Sequence, residues 1–317
     1  MKNVSKITSF KSFAQMLEAL PDDNSCREYL EQIRWEGTPV CIHCGVQSDK
    51  HYKLKTKGEF KGLYKCNSCR ERFTVKVGTM FEGSNISLRK WFIAIYIFSS
   101  HKKGISSHQL ASDLGITQKS AWFMLQRIRY AFSVKSEEKM QGVVQADETF
   151  VGGKNKNRHF NKKVADSQGR SVKDKTPVFG ILQTSGKVHT TVIPDTKAKT
   201  IKPIIENMVS NGSIMVTDEW HAYKSLSKEY AHIVVNHKEK EYVRDGFHTN
   251  GIENFWSLLK RGIYGIYHHT SPKHLHRYCD EFAFRFNSRK IESGERFDFS
   301  LRNTENRRLT YKQLISK

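Results

Sequence analysis

Three acids in this chain stand where a charge is expensive to keep. Asp147 closes the apolar run "VVQAD", Asp218 closes "IMVTD", and Glu253 sits near the start of "GIENFWSLLKRG". Seventy residues lie between the two aspartates and thirty-four between Asp218 and Glu253. An aspartate that ends an apolar strand points into the crevice at the sheet edge, and desolvating it is costly unless something positive binds there. Two such aspartates on neighbouring strands, with a glutamate on a helix packed over them, can hold two divalent ions, and hard oxygen donors suit Mg²⁺ or Mn²⁺. A two-ion site activates a water or a 3′-hydroxyl on one side of a phosphodiester and stabilises the oxygen leaving on the other. Lys260 follows Glu253 by seven residues, two helical turns, and so shares its stripe. There it faces the phosphates of the strand being cut, with Arg261 beside it.

Each acid also has an ordinary reading. Glu148 and Glu219 adjoin the aspartates, so each "DE" reads equally as surface charge at a strand end. Glu253 reads as an acid that favours a helix N-terminus, and Asn254 is a rival third ligand. Taken singly, the ordinary readings win. An acid at a strand end, a second at a strand end and a third on a helix, in that order, favour a site.

A second set of residues points to a different metal. Cys41 and Cys44 form one C-x2-C pair and Cys66 and Cys69 another, with twenty-one residues between them. Two chelating turns at that distance place four thiolates around one tetrahedral Zn²⁺. Four thiolates leave no open position, so this zinc is structural. His43 lies inside the first turn and is read as pointing away. Cys26 and Cys279 are isolated and read as core thiols.

Between the cysteines and the first acid, "SSHQLASDLGITQKSAWFMLQRIRYAF" reads as a helix-turn-helix. Leu110, Ala111 and Leu114 lie on the first helix, Gly115 makes the turn, and Trp122, Leu125 and Ile128 line the second. Thr117 is the candidate cap. Gln118, Lys119 and Ser120 sit at the mouth of the second helix, where base edges or phosphates are met. The same pattern also occurs in helical units that never touch DNA.

The elements that must position these residues divide the chain as follows. Residues 1–38 carry short amphipathic helices, the second starting at Ser25; 39–80 form the ribbon and 81–132 the helix-turn-helix region. A polar linker spans 133–142. Residues 143–290 run strand, hairpin about Ser185-Gly186, helix, strand, short helix, strand, helix, and 291–317 are a basic tail. The basic stretch 154–175 fits poorly into a compact sheet and reads as an insertion that grips DNA or a partner subunit, or as a solvated hairpin. The expected architecture is multidomain: an α-rich N-terminal part with ribbon and helix-turn-helix, then an α/β domain.

Composition narrows the partner. The chain has 317 residues with a net charge of +21, and 38% hydrophobic content is enough for real cores. A globular protein this basic meets polyphosphate, with nucleic acid as the default. No stretch is long enough for a membrane span, and the N-terminus lacks the apolar run of a signal peptide. A cytoplasmic, nucleoid-associated location is expected.

The texts "IRWEGTPVCIHCG", "FTVKVGTMFEGSNISLRKWFIAIY", "ADETFVGG", "TDEWHAY" and "HTNGIENFWSLLKRGIYGIYHHTSPKHLHRYCDEFAFRFN" together resemble DDE-type insertion-sequence transposases with an N-terminal zinc ribbon, the prokaryotic group related to Merlin elements. The resemblance implies a catalytic core like RNase H and retroviral integrase, with Asp147, Asp218 and Glu253 as its acids and Lys260 as the following base. Asparagine replaces the third acid in some members, which keeps Asn254 open. The resemblance also implies Mg²⁺-dependent strand cleavage and strand transfer, recognition of terminal inverted repeats, target DNA, and a homodimer or higher assembly on DNA. Two rival functions are a DNA-binding regulator with an inactive core and an RNase H-like nuclease without strand transfer.

Overall fold

The computed structural model describes residues 10–133, 138–153, 155–165, 167, 171–184 and 186–316. Within the hairpin expected about Ser185-Gly186, Ser185 lies outside the described residues, as do parts of the 133–142 linker and of the 154–175 insertion. The described residues of 1–132 and 290–317 form one unit and those of 133–289 another.

In the first unit Pro21 stops α1 (Phe13–Ala19), and α2 (Asp23–Trp35) follows at once. Its cap is Asp22, which accepts the Ser25 N–H at 2.8 Å while the Ser25 hydroxyl accepts the Asp22 N–H at 3.2 Å. The sequence points to Ser25 as the start, but Ser25 is the reciprocal partner three residues inside this capping box. The ribbon strands β1 (Tyr52–Thr56), β2 (Glu59–Lys65) and β3 (Arg72–Phe73) pair antiparallel in that order. Helices α3 (Leu88–Ser100), α4 (Ser107–Leu114) and α5 (Gln118–Phe132) follow. Gly115, with φ +57°, ends α4 in the left-handed conformation that glycine adopts without strain. The Thr117 hydroxyl then accepts the Ser120 N–H at 3.2 Å to start α5.

The second unit is built on five strands, β4 (Val143–Val151), β5 (Thr176–Gln183), β6 (Val188–Val192), β7 (Ile214–Thr217) and β8 (Ala231–Val234). They lie in the order β6-β5-β4-β7-β8, with β4 to β6 antiparallel and β7 and β8 parallel to β4. Helix α6 (Ala198–Met208) covers one face through Ile201 and Ile205, packed with Val144, Ala146 and Tyr223. Helices α7 (Asn250–Gly262) and α8 (Pro272–Asn287) cover the other through Ile252, Phe255, Trp256, Leu259 and Phe282. Because side chains alternate along β4, Asp147 and Glu148 go to opposite faces. A π-helical turn, Ile263–Tyr267, follows α7.

Two segments are more ordered than their polarity suggests. Met140, inside the expected linker, is buried and bridged to Val209, so the sheet's support begins before β4. The chain after Arg289 forms α9 (Ser293–Arg302) and α10 (Tyr311–Ile315), which belong to the first unit rather than standing apart as a tail. The signal was present in the apolar spacing of Phe297, Leu301, Leu309 and Leu314, all buried, but the four basic residues among them, Arg302, Arg307, Arg308 and Lys312, masked it. Among the described residues no helix is long and apolar enough to cross a membrane.

Candidate active site and metal centre

The α7 face of the sheet carries the first acid. Asp147 lies on β4 opposite Gly180 of β5. The Trp256 indole Nε1–H of α7 donates to Asp147 Oδ2 at 3.0 Å. The indole fits because position 180 is glycine: a Cβ there would stand 2.5 Å from Trp256 Cζ2. The start of α7 is pinned to the same strand, since the buried Gln145 side chain accepts the Ile252 N–H at 3.0 Å.

Asp147 registers the other two acids. Burial first, then the charge of Asp218, and more weakly that of Glu253, push the Asp147 carboxyl up to about 7. Asp218 follows β7, is 9% exposed, and accepts the Trp220 N–H at 3.0 Å. Glu253 is the most open of the three, with its side chain 49% exposed. The Thr249 hydroxyl donates to Glu253 Oε1 at 2.8 Å, and His237 Nε2 lies 3.6 Å from the same oxygen. His237 also stands 3.1 Å from the Thr249 hydroxyl. Burial lowers the Lys260 ammonium, the charge of Asp147 opposes that, and Lys175, at the root of the basic insertion, adds to it. Asp147 and Lys260 therefore share a partly dry environment.

The neighbouring acids are engaged elsewhere. Tyr223 donates to Glu148 on the far face of the sheet, and Glu219 accepts the His237 N–H at 3.1 Å. Asn254 is exposed, one step round α7 from Glu253. Arg261 is also exposed and donates to the Ser257 carbonyl of its own helix at 3.1 Å. Trp220 donates from Nε1 to the Thr196 carbonyl at 3.1 Å and, with Asp147, Glu148 and Phe150, lines a small cleft. Trp256, Gly180, Gln145, Thr249 and His237 were not among the residues singled out for chemistry. Trp256 had a readable signal, because it falls on the Glu253–Lys260 stripe. The others are defined by tertiary contact alone.

In the first unit the four cysteine sulfurs lie within 4.8 Å of one another. Among the described residues this is the only such group of three or more ligand atoms; the three carboxylates are not drawn as close. The Cys41–Cys69 and Cys44–Cys66 sulfur separations are 3.7 Å and 3.6 Å. A Zn–S bond of about 2.3 Å in a tetrahedron sets that edge at about 3.8 Å, so the donors fit zinc. Against the cost of burial, N–H groups of Cys69 and Ser68 bring the Cys66 thiol down to about 6. His43 Nε2 faces the Arg72 carbonyl at 3.3 Å, outside the sulfur group.

At the head of α5, Gln118 and Lys119 are exposed. Gln118 Nε2 donates to the Ser107 hydroxyl at 2.8 Å. Ser120 is half-buried, and both its N–H and its hydroxyl are paired with Thr117 in the cap.

Comparison with known proteins gives these features a family. Residues 139–287 match the ISXO2-like transposase domain, and residues 21–72 match the transposase zinc-ribbon domain. A protein in transposable element ISH50 of Halobacterium salinarum is 29% identical over 247 residues, 74% of this chain and 81% of that protein. A transposase-like protein of Haemophilus influenzae is 33% identical over 108 residues, 34% of this chain and 86% of its own length. A solved pre-cleavage Mos1 transpososome aligns over 62% of this chain and 73% of its own, at 13% identity and a TM-score of 0.22, too low to argue a shared fold. The chain belongs to the ISXO2-like transposases with a zinc-ribbon N-terminus.

Proposed function

We propose that this protein is a DNA transposase that cleaves and joins strands at the ends of an insertion sequence, using Asp147, Asp218 and Glu253. One observation carries the reading. Asp147 on β4 is buried where the charges of two acids remote in sequence, Asp218 after β7 and Glu253 on α7, both reach it, and burial with that repulsion raises its carboxyl to about 7. Like charges brought together at a cost imply a cation that offsets it. The strand order, with three antiparallel strands followed by two parallel to the first, supports an RNase H-like core.

The donor set is all carboxylate oxygen, which fits Mg²⁺ or Mn²⁺. Such ions, when bound, lower the pKa of an attacking water and stabilise the oxygen that leaves. The chain's own groups do the rest. Trp256 fixes the Asp147 carboxylate through one of its oxygens. Thr249 and His237 hold the Glu253 carboxylate at the mouth of the site. Lys260 sits where it can bind a phosphate of the strand being cut, and Lys175, at the root of the basic insertion, acts on its charge. Cleavage places the water oxygen on phosphorus and frees a 3′-hydroxyl. Strand transfer repeats the displacement with that hydroxyl on target DNA.

In the first unit, α4 and α5 serve as a helix-turn-helix on the element's terminal repeats. Zinc held by the four cysteines stiffens the ribbon beside it. Pairing two ends calls for at least two subunits, each supplying one site.

The test is Mg²⁺-dependent nicking of a duplex bearing the DNA that borders the gene. Asp147→Asn and Asp218→Asn should each abolish nicking and leave duplex binding intact. Glu253→Gln against Asn254→Ala identifies the third ligand: loss in the first alone supports Glu253, and loss in the second alone reassigns it. Full nicking by both aspartate variants refutes the site.

A further inference from the structure

We propose that the C-terminal segment from Arg307 to Ser316 is a DNA-binding strap that completes the recognition surface of α5. The proposal rests on α5 meeting duplex DNA. Residues Lys119, Phe123 and Tyr130 lie on one stripe of α5, at spacings of four and seven. The strap covers that stripe in antiparallel order. The Arg307 guanidinium stands over the Tyr130 ring at 5.7 Å. Tyr311 meets Phe123 edge-on with ring centroids 5.6 Å apart. The Lys119 ammonium stands over the Tyr311 ring at 5.4 Å. Leu309 and Leu314 are buried and anchor the segment, and a capping box between Thr310 and Gln313 starts α10.

The rest of α5 offers little to DNA. Its residues from Met124 to Arg129 are all buried, including Gln126, Arg127 and Arg129. A helix enclosed over that length cannot lie along a groove, and only its first turn, with Gln118 and Lys119, is open. A single exposed turn supplies few phosphate contacts. The strap adds them beside it: Lys312 is exposed and in no ion pair among the described residues, and it adjoins Tyr311, which carries Lys119. The partner this face fits is duplex DNA. Lys119 and Gln118 enter the groove, and Lys312 takes the adjoining phosphate backbone, a sequence-independent contact.

The experiment measures affinity against salt, with the full-length zinc-loaded protein and two fluorescein-labelled duplexes: the DNA bordering the gene and a scrambled duplex of equal length. Lys312→Ala should weaken both duplexes alike, roughly eight-fold at 0.1 M salt, and reduce the log–log salt slope by about one. Lys187→Ala, at a lysine paired with Glu138 in the second unit, should leave the slope unchanged. Tyr311→Ala should weaken binding by releasing Lys119, with zinc content unchanged as evidence of folding. A wild-type slope in Lys312→Ala, with Lys119→Ala impaired, overturns the strap alone. Unimpaired binding in Lys119→Ala removes the underlying reading of α5. Tighter binding in Tyr311→Ala overturns the proposal in the other direction, because the strap would then shield α5 from DNA.

Discussion

A carboxyl group that titrates near 7 in the folded chain and near 3.8 in the unfolded one holds its proton more tightly when folded. In the ion-free protein the stability this one group contributes is therefore fully present below about pH 4 and is lost as pH rises toward 7. Asp147→Asn removes the penalty and keeps an oxygen for the Trp256 N–H. In buffer free of Mg²⁺ this variant should melt several degrees above the parent at pH 8 and level with it at pH 4, a difference on the order of 2 kcal/mol. Adding Mg²⁺ should raise the parent's melting temperature and leave the variant unmoved, since an ion bound only by the folded state stabilises by mass action. A parent that ignores Mg²⁺ by scanning calorimetry removes the paired-ion reading. At Cys66 the logic is the reverse, because the charged form is the useful one. Cys66→Ser should empty the site, and a retained equivalent of zinc by metal analysis would show that the four sulfurs are not its cage.

At the scale of elements, α7 is held in register by what it packs against. Trp256 reaches Asp147 only because Gly180 leaves room for the indole, with Ile252 also close at 3.1 Å. Gly180→Ala should push the ring off the aspartate, cost about 1–3 kcal/mol as overpacking, and lower nicking far more than DNA binding. Tryptophan fluorescence should shift as the indole loses its carboxylate; an unchanged spectrum with full activity would deny Trp256 its positioning role. The same contact shows what was legible in sequence. Strand β4, the strand that ends just before Asp218, the helix bearing Glu253 and Lys260, and the paired cysteines were readable because each depends on local period or spacing; Asp147, expected at a strand end, instead lies mid-strand, because β4 runs on to Val151 in pairing with β5. Gly180 was not, since it is one glycine in an apolar strand until a tryptophan 76 residues later is laid on it. His237 and Thr249 were hidden for the same reason: their partner, Glu253, is reached by tertiary contact. Glu148 and Asp147 became distinguishable only when the pleat sent them to opposite faces.

At the scale of the whole chain, the first unit is closed by residues that follow the second in sequence. Phe297 of α9 is fully buried among Phe10, Tyr29, Phe92 and Tyr96, at ring separations of 6.2, 6.4, 5.6 and 5.7 Å. Arg296 donates to the Ser99 carbonyl at 2.8 Å, and Met80 donates to the Thr304 carbonyl at 3.0 Å. Glu305 is paired with Arg34 at 2.8 Å. These contacts make the C-terminal end a structural part of the zinc-bearing unit, although its basic composition reads as a free tail. Phe297→Ala should cost about 3–5 kcal/mol, the penalty for emptying a buried aromatic site. That loss belongs to the first unit. Calorimetry of the full chain should show the transition that responds to zinc chelation moving down, while the one that responds to Mg²⁺ stays in place. Equal displacement of both would mean that the two units melt as one, and an unmoved zinc-sensitive transition would mean that α9 is dispensable to the ribbon's unit.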